Sequence, residues 1–238
     1  MRLDKLLANL QYGSRKEVGC LIAKGRVAVN AKTVIDPAVH IDPQSDVVTV
    51  DGELVYYEES IVLMLNKPAG VISSTDEPGD ITAIELLKPP FNRFRFQIAG
   101  RLDRDATGLL LLSTNGELTH RIITPKKEIR KQYLVYLETP LDDHAKRELE
   151  AGVSIPTADG KEYRTRPAEV AILAPGVCQV TICEGKYHQV KLMLRAVGNR
   201  VTVLKRTAIG GLELDPALAP GEYRKLSEAE IARIFGKD

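Results

Sequence analysis

Gly100-Arg101-Leu102-Asp103-Arg104-Asp105-Ala106-Thr107-Gly108 runs directly into Leu109-Leu110-Leu111-Leu112. A polar segment with two carboxylates lies between two glycines and ends in an apolar block. Ser113-Thr114-Asn115-Gly116 stop that block, and a short apolar run closed by turn residues reads as a buried strand. The polar segment is then a loop delivered to the end of a strand, where a rigid sheet can hold reacting groups in place. Arg101 and Arg104 flank Asp103, so a carboxylate here sits among cations and faces an anionic substrate. The plainer alternative is a turn carrying solvated, alternating charges, since Asp and Gly are common turn residues.

Working outward, the 238-residue chain is 44% hydrophobic. That suffices for a core and argues against disorder or a fibre. Its formal net charge is +1, so only the distribution of charge is informative about partners. Residues 1–32 hold Arg2, Lys5, Arg15, Lys16, Lys24, Arg26 and Lys32 against Asp4 and Glu17. A second basic run, Lys126 to Lys131, contains Glu128 as its one acid. Two basic segments in a nearly neutral chain fit a localised polyanion footprint. Cys20, Cys178 and Cys183 show no paired spacing, and neither Cys-x-x-Cys nor His-Glu-x-x-His occurs, so no disulfide framework, metal site or cofactor motif is expected. The start Met-Arg-Leu-Asp-Lys lacks a signal-peptide core, and no apolar run approaches the about 20 residues of a membrane span. The expectation is a cytoplasmic protein with no membrane partner.

Leu3, Leu6, Leu7 and Leu10 recur at helical spacing. Ser14 with Glu17 three residues later predicts a capping box opening a second helix, which Gly25 ends. Residues 26–30, 34–35 and 47–50 read as short strands, with a turn at Asp51-Gly52. Tyr56 to Ser60 forms a polar break, placing domains at 1–58 and 61–238. Ile61 to Leu65 predicts a buried strand, ended by Asn66-Lys67-Pro68-Ala69-Gly70. A helix is predicted around Thr82–Leu87. Phe91 to Phe96 alternates aromatic with Arg or Asn and suits either an RNA-facing or a half-buried strand. A short helix over 117–123 and a strand over 132–137 follow, then an amphipathic helix over 140–152 and strands over 163–173 and 177–183. His188 opens a helix running to Val197-Gly198, on which Val190, Met193, Leu194 and Val197 form the buried face and His188, Lys191 and Arg195 a cationic stripe; a last short helix starts at Ser227.

Several of these stretches together resemble a known family. Gly-Arg-Leu-Asp, two residues, Thr, one residue, Gly-Leu-Leu resembles the signature of the pseudouridine synthases that modify ribosomal RNA. Asn66-Lys67-Pro68-x-Gly70, Lys131-x-Tyr133 and Glu184-Gly185-x-x-His188-Gln189-Val190-Lys191 resemble its other motifs, in family order. The paired helices with Ser14-Arg15-Lys16 resemble the S4 RNA-binding domain over residues 1–58. The resemblance implies an α+β fold: an S4-like domain, then a catalytic domain with a mixed, largely antiparallel sheet. It implies Asp103, not Asp105, as the essential catalytic residue, Tyr133 facing the target base, and Lys191 paired with Asp103. A cation there favours the ionised carboxylate, although many relatives carry Arg and Lys lacks the bidentate fork. Arg101, His188 and Gln189, with Arg15, Lys16 and Arg26 of the head, are then the expected RNA contacts. The implied reaction turns a uridine of RNA into pseudouridine after the base is flipped, and needs no cofactor. The carboxylate's role stays open between attack at C1′, attack at C6 and removal of a ribose proton. The segment Leu218-Ala219-Pro220-Gly221-Glu222-Tyr223-Arg224 looks most like the small-subunit, 16S rRNA branch, so the expected partner is ribosomal RNA in an assembling small-subunit particle, met by a monomer. The alternatives are a 23S rRNA enzyme of the same family and a non-catalytic S4-type assembly protein. An aspartate-dependent hydrolase has no metal or phosphate-loop pattern to support it.

Overall fold

The computed structural model describes residues 1–236. It forms two compact units, one of residues 1–61 with 87–96, the other of residues 62–86 with 97 onward. In the first unit, α1 (Leu3–Asn9) and α2 (Arg15–Ala23) precede β1 (Val27–Val29), β2 (Lys32–Val34), β3 (Val48–Val50) and β4 (Glu53–Leu54). These strands pair antiparallel in the order β2-β1-β3-β4. Leu3, Leu6, Leu7, Val18, Ile22 and Val27 are buried, so the leucine spacing that predicts α1 also supplies the core. The predicted capping box forms: the Glu17 N–H donates to Ser14 Oγ at 3.3 Å and the Ser14 N–H to Glu17 Oε2 at 2.7 Å. Two orphan N–H groups of α2 are thereby satisfied.

Residues 87–96 were read from sequence as part of the second domain, but they cluster with this first unit. They form no strand. Phe91–Arg93 is a single 3₁₀ turn, followed by extended chain with Phe94 and Phe96 buried. Pro89 and Pro90 remove two backbone donors just before it, which disfavours ladder pairing.

The second unit runs β5 (Val62–Lys67), β6 (Gln97–Ile98), β7 (Thr107–Ser113), α3 (Gly116–Ile123), β8 (Lys131–Leu137), α4 (Asp143–Ala151), β9 (Ser154–Pro156), β10 (Glu162–Arg164), β11 (Glu169–Ala174), β12 (Val177–Ile182), α5 (Gln189–Ala196), β13 (Val201–Ile209), β14 (Leu212–Glu213), β15 (Tyr223–Lys225) and α6 (Glu228–Arg233). Its main sheet has the order β11-β12-β8-β13-β7-β5-β15, with β6 on β7 and β14 on β13. The β13–β7 pair is parallel and the other pairs are antiparallel. The fold is thus the α+β arrangement with a mixed, largely antiparallel sheet. Strands β5 and β7 are buried on both faces except at Thr107, which is why they read as unbroken apolar runs. Val62, Met64, Leu109 and Leu111 pack with Leu118 and Ile122 of α3 and with Ile234 beyond α6.

Three local readings change. Residues 82–87 make turns rather than a helix. Thr82 and Glu85 exchange capping bonds, but Pro89 drives Lys88 out of the helical region before another turn can form. The predicted strand over 163–173 is two strands, broken where Pro167 removes a donor. Strand β13 went unread, and it lies at the centre of the sheet.

Candidate active site

The loop of residues 100–106, between β6 and β7, is gripped by cations with almost no exposure. Arg206 of β13 is 1% exposed. Its Nε donates to the Leu109 carbonyl at 2.8 Å, Nη2 to Gly100 at 2.9 Å and Nη1 to Arg101 at 3.3 Å. Lys67, at the end of β5, is 0% exposed. Its Nζ donates to the carbonyls of Val71 at 2.6 Å, Pro68 at 2.9 Å and Arg104 at 3.3 Å. Burial pushes the Lys67 ammonium down to about 8, against the pull of Asp105 and Asp103. Ser73 Oγ donates to the Leu102 carbonyl at 2.9 Å and accepts from its N–H at 3.0 Å, and the Gly70 N–H donates to Arg104 at 2.8 Å. The backbone is therefore pinned on both sides of Asp103. Gly108 makes the close approach of β7 to β13 possible: its φ is +97°, and a Cβ there would lie 2.2 Å from the Arg206 carbonyl oxygen.

The side chain of Asp103 meets Lys191 and His188. Lys191 Nζ lies 2.9 Å from Asp103 Oδ2 and 2.5 Å from Asp105 Oδ1, and His188 Nε2 lies 3.4 Å from Asp103 Oδ1. Lys191 stands in the first turn of α5, where the helix dipole opposes a cation; the two carboxylates compensate. Burial alone lowers the Lys191 ammonium, and the hydrogen bonds to Asp105 and Asp103 outweigh it, leaving a net rise. The hydrogen bond from Lys191 correspondingly holds Asp105 low. His188 caps α5 in the left-handed region at φ 46°, so it precedes the helix rather than opening it. Its ring stacks on that of Tyr187 with centroids 3.8 Å apart.

These groups border a cleft of about 710 Å³, whose lining includes Asp103, Tyr133, Leu204, Arg206 and His188. Tyr133 and Arg206 are register partners across β8 and β13. Tyr133 is 7% exposed. Lys131, two residues earlier on the same face of β8, is pushed down to about 8 by burial and then by Arg206. A carboxylate with a counter-ion thus opens on a partly apolar cleft holding an aromatic ring, large enough for a nucleoside. Among the described residues, no group of three or more His, Cys, Asp or Glu side chains is placed to hold a metal ion.

The residues singled out in the sequence divide clearly. Asp103, Tyr133, His188, Gln189 and Arg101 line one cleft, and Lys191 bonds to Asp103 at its border. Arg101 is exposed there while its carbonyl is held by Arg206. Gln189, expected to face RNA, is 3% exposed. Its Nε2 donates to Glu184 Oε2 at 2.7 Å and its Oε1 accepts from the Lys186 N–H at 2.9 Å. Its amide therefore braces the turn that carries His188, because Glu184 is buried and requires donors. In the first unit, Arg15 and Lys16 are exposed at the start of α2. Arg26 is tied to Asp51 through two bonds of 2.7 and 2.5 Å, so much of its charge is answered within the protein. Arg206 and Ser73 were missed as site-building residues. An Arg in the middle of the β-branched stretch 201–209 was the available signal for the first.

Known proteins are similar to this chain in sequence and fold. The RNA pseudouridylate synthase family profile matches residues 61–196, and the S4 domain profile matches residues 1–48. An uncharacterized RNA pseudouridine synthase of Bacillus subtilis is 48% identical over 97% of each chain. The ribosomal small subunit pseudouridine synthase A of Escherichia coli is 41% identical over 98% of this chain and 100% of its own. A crystal structure of a pseudouridylate synthase superposes with a TM-score of 0.69 at 36% identity, covering 98% of this chain and 99% of that one. A full-length match in sequence and fold, with the motif aspartate facing a cleft, leads to one assignment: the chain belongs to the RNA pseudouridylate synthase family and is an isomerase with an S4 domain at its N-terminal end.

Proposed function

We propose that this enzyme isomerises a uridine of small-subunit, 16S ribosomal RNA, with Asp103 as the reacting carboxylate. The observation that carries the chemistry is the Asp103–Lys191 pair at 2.9 Å beside the Tyr133 cleft. The target nucleotide must leave its stack to reach that carboxylate. The N1–C1′ bond breaks, the uracil turns, and a C5–C1′ bond forms. N1 gains a proton and C5 loses one, so product and substrate have the same composition. Asp103 serves as nucleophile or base in this sequence, and Lys191 supplies its counter-charge. Tyr133 offers a ring against which the base is held and turned. Arg101, exposed at the rim, fits the space vacated by the flipped base or a flanking phosphate. Arg15 and Lys16 dock the RNA through phosphates.

The choice of 16S rRNA is supported by the small-subunit enzyme of Escherichia coli, similar over its full length. The reading extends to a monomer acting in the cytoplasm on an assembling small-subunit particle. Among the described residues no helix is long and apolar enough to cross a membrane. Pseudouridine mapping of rRNA from cells with and without the gene tests the target. Loss of one pseudouridine in 16S rRNA is the expected result, and loss confined to 23S rRNA overturns the choice of subunit.

A further inference from the structure

Residues 87–96 belong structurally to the N-terminal unit although they lie beyond its S4 match. Aromatic packing anchors them. Tyr56 meets Phe91 and Phe94 edge-on, with centroids 6.0 and 5.9 Å apart, and Phe94 also meets Phe96. Phe94 and Phe96 are buried, so the alternating Arg93 and Arg95 are turned outward and exposed. The Arg93 guanidinium lies over the Tyr12 ring, 4.2 Å from its centroid. Tyr12 sits in the turn between α1 and α2, just ahead of Ser14, Arg15 and Lys16. Arg93 therefore places a further cation beside a turn that already leads into two.

Internal pairing separates the arginines of this unit into two sets. Arg2 is bridged to Asp4 and Arg26 to Asp51. Among the described residues, Arg15, Arg93 and Arg95 form no salt bridge. Two exposed guanidinium groups on an aromatic-anchored segment, with no carboxylate competing for them, can meet phosphate, whose oxygens match their planar fork. The stacking of Arg93 on Tyr12 fixes its plane while its N–H edge remains available.

We infer that residues 87–96 are a second RNA-contacting element of the N-terminal unit, with Arg93 and Arg95 on backbone phosphates. The inference rests on the reading that this unit docks RNA. It extends the docking surface to a segment 38 residues beyond the S4 match, 25 of which belong to the catalytic unit.

Filter binding of the full-length protein to in vitro transcribed 16S rRNA, at several salt concentrations, tests it. The variants are R93Q/R95Q, R93K/R95K and R15Q/K16Q, each with a melting curve. Each lost phosphate contact makes the slope of log affinity against log salt shallower by about 0.7–0.9. R93Q/R95Q should therefore be shallower by about 1–2 units, and R93K/R95K should keep the wild-type slope. The single variant R95Q, which leaves the Arg93–Tyr12 stack intact, should show about half the change and an unaltered melting temperature. An unchanged slope in R93Q/R95Q with a shallower one in R15Q/K16Q overturns the inference and leaves RNA docking by α2 standing. Unchanged slopes in both pairs overturn both readings. Weaker binding by R93Q/R95Q at an unchanged slope also overturns the inference, because the segment would then act through folding.

Discussion

Replacing Arg206 with Met removes the three bonds that hold the carbonyls of Leu109, Gly100 and Arg101. Methionine fills much of the same space, so the loss is polar rather than a cavity. The bond to Leu109 is buried and the other two are part-buried. A charge-assisted bond contributes about 1.5–3 kcal/mol when buried, and about 1 kcal/mol is reasonable where water can replace it. The gross loss is then about 3.5–5 kcal/mol, from which relief of a buried guanidinium without a carboxylate partner subtracts about 1–2. A net loss of about 1.5–4 kcal/mol lowers the melting temperature by roughly 3–15 °C in a chain of this size. The kinetic effect should be larger in kcat than in KM. Arg206 holds the loop on the Gly100 side of Asp103, and a displacement of about 1 Å in a reacting group costs about 100-fold. Arg206→Lys keeps the charge and part of the bonding and should fall between. Tritium release from 16S rRNA carrying 5-labelled uridine, measured below the melting temperature of each variant, reads kcat and KM. A folded Arg206→Met enzyme with wild-type kcat would refute the view that this arginine positions Asp103.

Lys191→Met should reduce turnover by roughly 100-fold while changing RNA affinity little, because it removes the counter-charge opposite Asp103; Lys191→Arg should retain more activity, and equal losses in kcat and affinity would show that the lysine is chiefly an RNA contact. Gly108→Ala should cost about 3–5 kcal/mol, combining a disfavoured positive φ with overlap on the Arg206 carbonyl. Gly79→Ala, at φ +89° with open space around it, should cost only about 1–2 kcal/mol, and equal denaturation midpoints for the two would refute the close-approach argument. Lys131 is lowered from 10.5 to about 8 by burial. Between those values the folded protein releases a proton that the unfolded chain keeps, so this group makes stability rise with pH across the window. Urea unfolding of Lys131→Met should show a smaller rise from pH 8 to 10 than wild type, and an identical rise contradicts the burial argument.

Local rules carried much of the fold. The Ser14–Glu17 capping box, the leucine spacing of α1 and the apolar block of β7 depend on near neighbours in sequence, and each forms as read. Asp103, Tyr133 and Lys191, singled out by motif, are brought by the fold to one cleft and its border. What supports those groups was not legible, because it is tertiary. Arg206 looks like a surface residue until β13 is known to lie parallel to β7; only then is its side chain seen to reach two loop carbonyls and one of β7. Lys67 lies in a turn that the sequence marks by its motif, but nothing local shows that its ammonium is wholly buried. Gln189 shows the converse: beside His188 and Lys191 it looks like part of a binding edge, and it does line the cleft, yet buried Glu184 takes its amide donor. For residues 91–96, alternation correctly separates Phe94 and Phe96 from Arg93 and Arg95, but it cannot say which unit buries the phenylalanines.

Asp103 is expected to carry the reaction and Asp105 not to, and tritium release from 5-labelled uridine in 16S rRNA tests this directly. Asp103→Asn keeps the shape of the side chain but removes the group able to attack or deprotonate, so release should fall to background while RNA binding and melting persist. Asp105 is 74% exposed at its side chain and shares Lys191 with Asp103. Asp105→Asn leaves that lysine to Asp103 and should stay within about 10-fold of wild type, the loss of one exposed ion pair. Near-normal release by Asp103→Asn, or equal loss from both substitutions, would contradict the assignment.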